Sequence, residues 1–147
     1  MSLSEWTKNG WLRAHRTTRA QVADLFAIVD RDLTDAKSAR LSVDWQFGIS
    51  YNAALKLCTI LLYAEGYRPE KALAHYRSLQ ALPLILGSER QADADYLDTC
   101  RSKRNTAEYD SAGRVSAAEA KELIEFVEEL REQVKLWLQE KHPELSL

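Results

Sequence analysis

The most apolar segment of the chain is SVDWQFGISYNAALKLCTILLYA, residues 42–64. Arranged as a helix, it carries one apolar stripe, and neighbouring apolar residues widen that stripe most of the way around the axis. The stripe consists of Trp45, Ile49, Ala53, Leu57, Ile60 and Leu61. A helix that is apolar on nearly every side belongs at the centre of a bundle. Gly66 and Pro69 follow the segment and predict that the helix ends before them.

Amphipathic segments on both sides complete the predicted bundle. One begins near Thr17 and Thr18, whose hydroxyls can cap a helix, and ends before residue 39. Another begins at the capping-box sequence SAAE, residues 116–119, and extends to about residue 141. We expect Pro143 to close the ordered part of the chain. Further helices are predicted over about 2–13, 71–86 and 88–109, with disturbances at Gly10 and Pro83. We find no β-hairpin pattern and predict an all-α, up-and-down bundle of four long helices with one or two short extra helices.

Length and composition favour one globular domain over residues 1–147. Apolar residues make up 46% of the chain and no linker divides it. Twenty basic and 22 acidic residues give a net charge of −2, which argues against a chain-wide basic surface but leaves a local patch open. Residues 1–6 lack a signal-peptide pattern, and the longest apolar run, residues 53–64, is too short to span a bilayer. We therefore expect a cytoplasmic protein that does not bind a membrane.

Metal-binding and cofactor-binding patterns are not found in the sequence. The histidines His15, His75 and His142 are scattered, without a His or Cys partner at ligand spacing. No glycine-rich phosphate loop follows a strand. Cys58 and Cys100 fall within apolar helical patterns, so we expect buried, free thiols. The sequence predicts neither a metal nor a cofactor.

The segment RSKRNTAEYD, residues 101–110, combines several polar groups near the end of a predicted helix. Helical spacing places Arg101, Asn105 and Tyr109 on one ridge, with Arg104 beside it. Lys103 adds a third cation. The arrangement is unusual because it begins where the apolar stripe of that helix ends.

Two interpretations of this segment stay open. In the structural one, Arg101 pairs with Asp98 and Arg104 pairs with Glu108 along the helix. In the binding one, the guanidinium groups contact phosphates, since arginine can hold a phosphate through two parallel hydrogen bonds.

Residues 104–109, RNTAEY, resemble the Arg-Asn-x-x-x-His signature of HEPN domains. The layout over about residues 40–142 is similar too, with an apolar central helix, a motif helix and a long closing helix. HEPN domains are helical bundles, often dimeric, and many are metal-independent ribonucleases of toxin–antitoxin and antiphage systems. The resemblance implies a single HEPN-like domain that forms a homodimer. Its implied partners are RNA and a cognate antitoxin or nucleotidyltransferase-type protein.

Carried over to this chain, the resemblance assigns the catalytic positions to Arg104, Asn105 and Tyr109. Arg104 would contact the phosphate and stabilise the transition state, and Asn105 would orient the site. Arg101, Lys103 and Arg104 would bind nucleic acid.

Tyr109 stands where the family has histidine. A histidine, with an ordinary pKa of roughly 6.5, suits transfer of the 2′-hydroxyl proton. A tyrosine, with an ordinary pKa of roughly 10, is a poor base at neutral pH. His75, on the preceding helix, is a candidate to replace it.

These observations predict an RNA-binding or partner-binding protein with a degenerate nuclease motif. The alternatives are an active metal-independent endoribonuclease toxin and a helical scaffold with no nucleic-acid role.

Overall fold

The computed structural model describes residues 1–106 and 112–147. These residues form seven α-helices, two short strands and single turns of 3₁₀-helix. The helices are α1 Leu3–Lys8, α2 Arg19–Ala36, α3 Val43–Ala64, α4 Ala74–Gln80, α5 Leu82–Leu86, α6 Gln91–Asn105 and α7 Ala117–Lys141. The strands are β1 Leu12–Ala14 and β2 Tyr67–Pro69, and the 3₁₀ turns are Ser88–Arg90 and Pro143–Leu145. The predicted all-α bundle of four long helices, α2, α3, α6 and α7, is confirmed.

Helix α3 is the centre of the bundle, as its all-round apolar pattern predicts. It packs against α2, α4, α5, α6 and α7. Ser42 caps its start, since its hydroxyl accepts a hydrogen bond of 3.2 Å from the backbone N–H of Trp45. By length and composition alone α3 could cross a membrane, but 72% of its apolar window is buried among the other helices, as in the core helix of a globular bundle.

The predicted helix starts are confirmed at atomic detail. The Thr18 hydroxyl accepts from the backbone N–H of Gln21 at 3.1 Å and so caps α2. At the start of α7 the Ser116 hydroxyl accepts from Glu119 N–H, while the Glu119 carboxylate accepts from Ser116 N–H. This reciprocal pair satisfies two backbone donors that the helix itself leaves free.

The predicted helix over residues 71–86 is divided into α4 and α5. Pro83 lies in the first turn of α5, where a missing N–H does not interrupt the helical ladder. Leu73, the residue before α4, adopts a left-handed conformation with φ of 56°. Helix α4 therefore begins after a turn, and it lies against both α3 and α6.

A two-stranded antiparallel sheet is the main feature that the sequence did not indicate. β1 pairs with β2 so that Leu12 faces Pro69 and Ala14 faces Tyr67. Three-residue strands are too short to show an alternating pattern, and their partners are distant in sequence. The pairing fixes the N-terminal arm, residues 1–14, against the end of α3. There Trp6, Leu12, Leu62 and Ala81 form a second small apolar cluster.

Two expectations about individual residues were wrong, and one about the cysteines is confirmed. Trp45 is 56% exposed, because it lies in the first turn of α3 and the buried face begins only at Phe47. Order continues beyond Pro143, since Leu145 inserts into the main core. Cys58 and Cys100 are buried and free.

Candidate functional site

The guanidinium groups of Arg101 and Arg104 lie in the region where α3, α4 and α6 meet. Buried Leu97 and Cys100 fix α6 against the bundle. The guanidinium carbon of Arg104 then lies 5.7 Å from the ring centre of Tyr51 on α3. That of Arg101 lies 5.9 Å from the ring centre of Tyr76 on α4. The two arginines of the motif therefore face aromatic rings of two different helices.

Four basic side chains from three helices form a basic cluster, which we define as Lys56, His75, Arg101 and Arg104. His75 lies on the exposed side of α4, with its imidazole partly buried. This partial burial lowers the pKa of His75 below its ordinary value of 6.5, and the charges of Arg104, Lys56 and Arg101 lower it further. The imidazole is therefore neutral at pH 7 and can accept a proton.

Asp98 supplies a counter-charge at the edge of the basic cluster. Its carboxylate accepts a hydrogen bond of 2.8 Å from Nε of Arg101, one turn further along α6. This is the pair that the structural interpretation of the motif predicts, and it is present. It occupies Nε and leaves the terminal amino groups of Arg101 to other acceptors.

The buried hydroxyl of Tyr51 is the functional group that the sequence analysis missed. Tyr51 is 1% exposed, and its hydroxyl has no hydrogen-bond partner within the described ranges. Burial raises the pKa of this phenol above its ordinary value, although the charges of Arg101 and Arg104 act in the opposite direction. The phenol stays protonated and offers a donor beside two guanidinium groups. A hydroxyl among the apolar residues of 42–64 was the available signal.

Lys103 points away from the basic cluster. Successive helical residues differ by about 100° in direction, so Lys103 faces α7 while Arg101 and Arg104 face α3 and α4. Its ammonium group forms an ion pair with the carboxylate of Glu119 in the capping box of α7. Lys103 thus joins α6 to α7, and the structure does not bring it together with the two arginines.

A small cavity of about 100 Å³ lies beside Lys103. It is lined by Phe47, Tyr96, Thr99, Cys100, Lys103, Glu119 and Glu122. Ligand pockets usually measure about 300–1,000 Å³, so this cavity is too small for a nucleotide. Burial raises the pKa of the Cys100 thiol to about 11, and the thiol is therefore protonated.

The remaining motif residues lie at or beyond the end of α6. Asn105 is its last residue and is half-buried. Tyr109 and Glu108 lie outside the described residues, so the position of Tyr109 and the Arg104–Glu108 pair stay predictions. Within residues 1–106 and 112–147, no three His, Cys, Asp or Glu side chains are grouped so that they could hold a metal ion.

Comparison of the chain with protein-family models, with curated proteins and with solved structures found no match in any of the three.

Proposed function

We propose that the chain is a HEPN-like helical module that binds RNA phosphates at the basic cluster and carries a degenerate nuclease motif. The observation that carries this proposal is that Arg101 and Arg104 lie where α3, α4 and α6 meet. Their charges and that of Lys56 act on His75. Guanidinium groups bind phosphate oxygens through paired, charge-assisted hydrogen bonds.

The electrostatics of the basic cluster favour an anionic ligand. Like charges held close together repel one another, and after burial, which is the larger cause, this repulsion contributes to the lowered pKa of His75. A phosphate placed among these groups relieves it. The chain as a whole carries a net charge of −2, so the positive potential is local and is not a property of the whole surface.

Binding without efficient catalysis agrees with the tyrosine at position 109. A phenol donates a hydrogen bond to phosphate but rarely accepts a proton at pH 7. The module would then bind RNA without cleaving it, or bind a cognate antitoxin or nucleotidyltransferase-type protein.

One observation favours a second candidate, a metal-independent endoribonuclease. His75 is neutral at pH 7 and lies beside both arginines, which is suitable for a general base. In that reaction the 2′-oxygen attacks the adjacent phosphorus and the P–O5′ bond breaks. The base takes the 2′-hydroxyl proton and water protonates the leaving 5′-oxygen, so the products are a 2′,3′-cyclic phosphate and a 5′-hydroxyl.

We also propose self-association, which the HEPN resemblance implies. Leu73, Leu136 and Trp45 are large apolar side chains that are more than half exposed, and a second copy would cover such groups. Sedimentation equilibrium at tens of micromolar tests this: a dimer is expected, and a monomer would contradict it.

The test of RNA binding compares two charge removals on the same helix. Fluorescence anisotropy is measured with a labelled 12-nucleotide single-stranded RNA, for Arg104→Gln and for Lys103→Gln as the matched control. Arg104→Gln is expected to weaken binding. It should also reduce the magnitude of the slope of log Kobs against log salt concentration by about 0.7, the value for one lost phosphate contact on a single strand. Lys103→Gln is expected to change neither, because Lys103 faces Glu119.

Two results would contradict the proposal. If the native protein does not bind the RNA at low salt, the proposed RNA-binding function is wrong. Equal weakening by both substitutions would show that binding follows overall charge and not the basic cluster. Thermal melting of each variant accompanies the titrations, so that unfolding is not mistaken for lost affinity.

A further inference from the structure

An open groove of about 410 Å³ lies between the N-terminal arm and helices α4 and α5. It is lined by Met1, Trp6, Trp11, Tyr76, Arg77, Gln80, Pro83, Leu84, Ser88 and Gln91. Among these residues Arg77 has the only charged side chain. The groove therefore combines a planar cation, aromatic rings and carboxamide groups, without a carboxylate on its described lining.

The planar groups of the groove are already ordered. The guanidinium carbon of Arg77 lies 3.7 Å from the ring centre of Trp11, at stacking distance. Trp11 in turn meets Trp6 edge to face, with 5.7 Å between ring centres. The Gln91 amide donates to the Gln80 amide oxygen at 3.3 Å, which holds both carboxamides at the groove wall. A flat ligand entering here would meet surfaces that are held in place before it binds.

Tyr76 connects this groove to the basic cluster. Its ring centre lies 5.7 Å from the guanidinium carbon of Arg77 in the groove and 5.9 Å from that of Arg101 in the cluster. One side chain is thus shared by a surface suited to flat rings and a surface suited to phosphates. Each nucleotide of a nucleic acid strand carries both a flat base and a phosphate, which match these two surfaces.

We propose that the groove at Trp11, Tyr76 and Arg77 binds an unpaired nucleobase of an RNA strand, and that a phosphate of the same strand contacts Arg101. This inference rests on the proposed function, RNA binding at the basic cluster. The base stacks on the guanidinium plane of Arg77 or on the ring of Tyr76, since every base offers a flat face. Gln80, Ser88 and Gln91 offer donors and acceptors to its edge. Because bases are paired and stacked inside a duplex, the groove selects single strands.

Charge complementarity favours this occupant over a second copy of the chain. A polyanionic strand meets Arg77 and then Arg101 along one path. A second copy carries 20 basic residues beside its 22 acidic ones, so it offers this path far less net negative charge than a strand with one phosphate per nucleotide. Self-association through the groove remains an outcome that the test can detect.

The test separates base binding from phosphate binding. Affinities are measured by anisotropy for a 12-nucleotide single-stranded RNA and for an abasic oligomer with the same backbone. Tyr76→Leu is expected to weaken RNA binding about 10-fold, the effect of one lost base–aromatic contact, and to change abasic binding less than 2-fold. Tyr67→Leu is the matched control, since Tyr67 packs beside the same N-terminal arm without lining the groove. It is expected to change neither affinity.

The possible failures are distinguishable. If native protein binds neither oligomer, the proposed function fails. If it binds both equally and Tyr76→Leu weakens both or neither, the nucleobase site is wrong while phosphate binding stands. If Tyr76→Leu converts a dimer into a monomer in sedimentation and RNA is not preferred over the abasic oligomer, a second copy occupies the groove.

A measurement on the native protein covers the case in which Tyr76→Leu does not fold. RNA containing 4-thiouridine is bound, irradiated and digested, and the crosslinked peptides are identified by mass spectrometry. Crosslinks to residues 6–11 or 76–77 are expected. Crosslinks confined to other peptides would overturn the proposal.

Discussion

The guanidinium carbon of Arg104 lies 5.7 Å from the ring centre of Tyr51, and the Tyr51 hydroxyl has no hydrogen-bond partner in the described part of the chain. Leaving a buried hydroxyl unpaired costs about 1–3 kcal/mol. Tyr51→Phe should therefore keep or raise the free energy of unfolding, measured in urea. A variant that is less stable than native protein would show that the hydroxyl has a structural role.

RNA binding should become tighter as the pH falls from 7 towards 5.5. Burial and the neighbouring cations hold the pKa of free His75 below 6.5, and a bound phosphate would raise it. Binding then takes up a proton, and this uptake grows as the pH approaches the His75 pKa. Anisotropy titrations at several pH values should show the effect in native protein and in His15→Gln, but not in His75→Gln. An unchanged pH dependence in His75→Gln would exclude this histidine.

The same lowered pKa makes a prediction for stability. A histidine whose folded pKa lies below its unfolded pKa binds protons preferentially in the unfolded state. Its contribution to stability is present above pH 6.5 and is lost as the pH falls through the folded pKa. His75→Gln should therefore lose less stability than native protein between pH 6.5 and 5, as measured by urea unfolding. Equal losses in both proteins would contradict this.

A buried carboxylate links α2 to α3. Asp32 is 5% exposed and accepts a hydrogen bond of 2.7 Å from the Asn52 amide, and a second pair of bonds from Arg31. Asp32→Ala removes these contacts and should lower the free energy of unfolding by about 1–3 kcal/mol. Asp35→Ala, on the exposed side of the same helix, is the matched control. RNA affinity of the folded fraction should not change in either variant.

Both cysteines should be unreactive in the folded protein. Burial raises the pKa of the Cys58 thiol to about 12 and that of Cys100 to about 11, so the reactive thiolate is scarce at pH 8. Ellman's reagent should label two thiols in denaturant and neither within minutes under native conditions. Rapid labelling of native protein would contradict the buried positions.

The histidine missing from the motif suggests a gain-of-function test. Tyr109→His places a group of near-neutral pKa at the position where HEPN domains have histidine. General acid–base catalysis contributes about 10²–10⁴-fold, so EDTA-resistant cleavage of single-stranded RNA should appear in a gel assay. Strong cleavage by native protein that persists in Tyr109→Phe would instead point to His75, and His75→Gln should then abolish it.

Local signals predicted the helices well, because each depends on neighbouring residues. The all-round apolar pattern of residues 42–64, the Thr18 cap and the capping box at Ser116 and Glu119 all correspond to observed structure. Pro83 marked the division between α4 and α5. The sheet was missed because α2 and α3 separate β1 from β2 in the sequence, so no local pattern reveals their pairing.

The candidate site was predictable only in part. Residues 101–104 indicated a basic region, and helical spacing was enough to separate Lys103 from its neighbours. Spacing does not reveal which helices lie opposite, and so the contributions of Lys56, Tyr51 and Tyr76 required the tertiary structure. The shared position of Tyr76 between two surfaces is likewise a product of packing between α4 and α6.

The short pairing of β1 with β2 has a consequence for amide hydrogen exchange. A three-residue strand pair beside a small apolar cluster should open at a lower free energy than the main core, so amides of the N-terminal arm should exchange before those of α3. The arm carries Trp6 and Trp11, and its opening dismantles one wall of the groove. A ligand that binds only the closed arm must slow exchange at residues 12–14 by the factor 1 + [L]/Kd, with [L] the free ligand concentration. Exchange at these few amides would therefore measure the affinity of the groove directly.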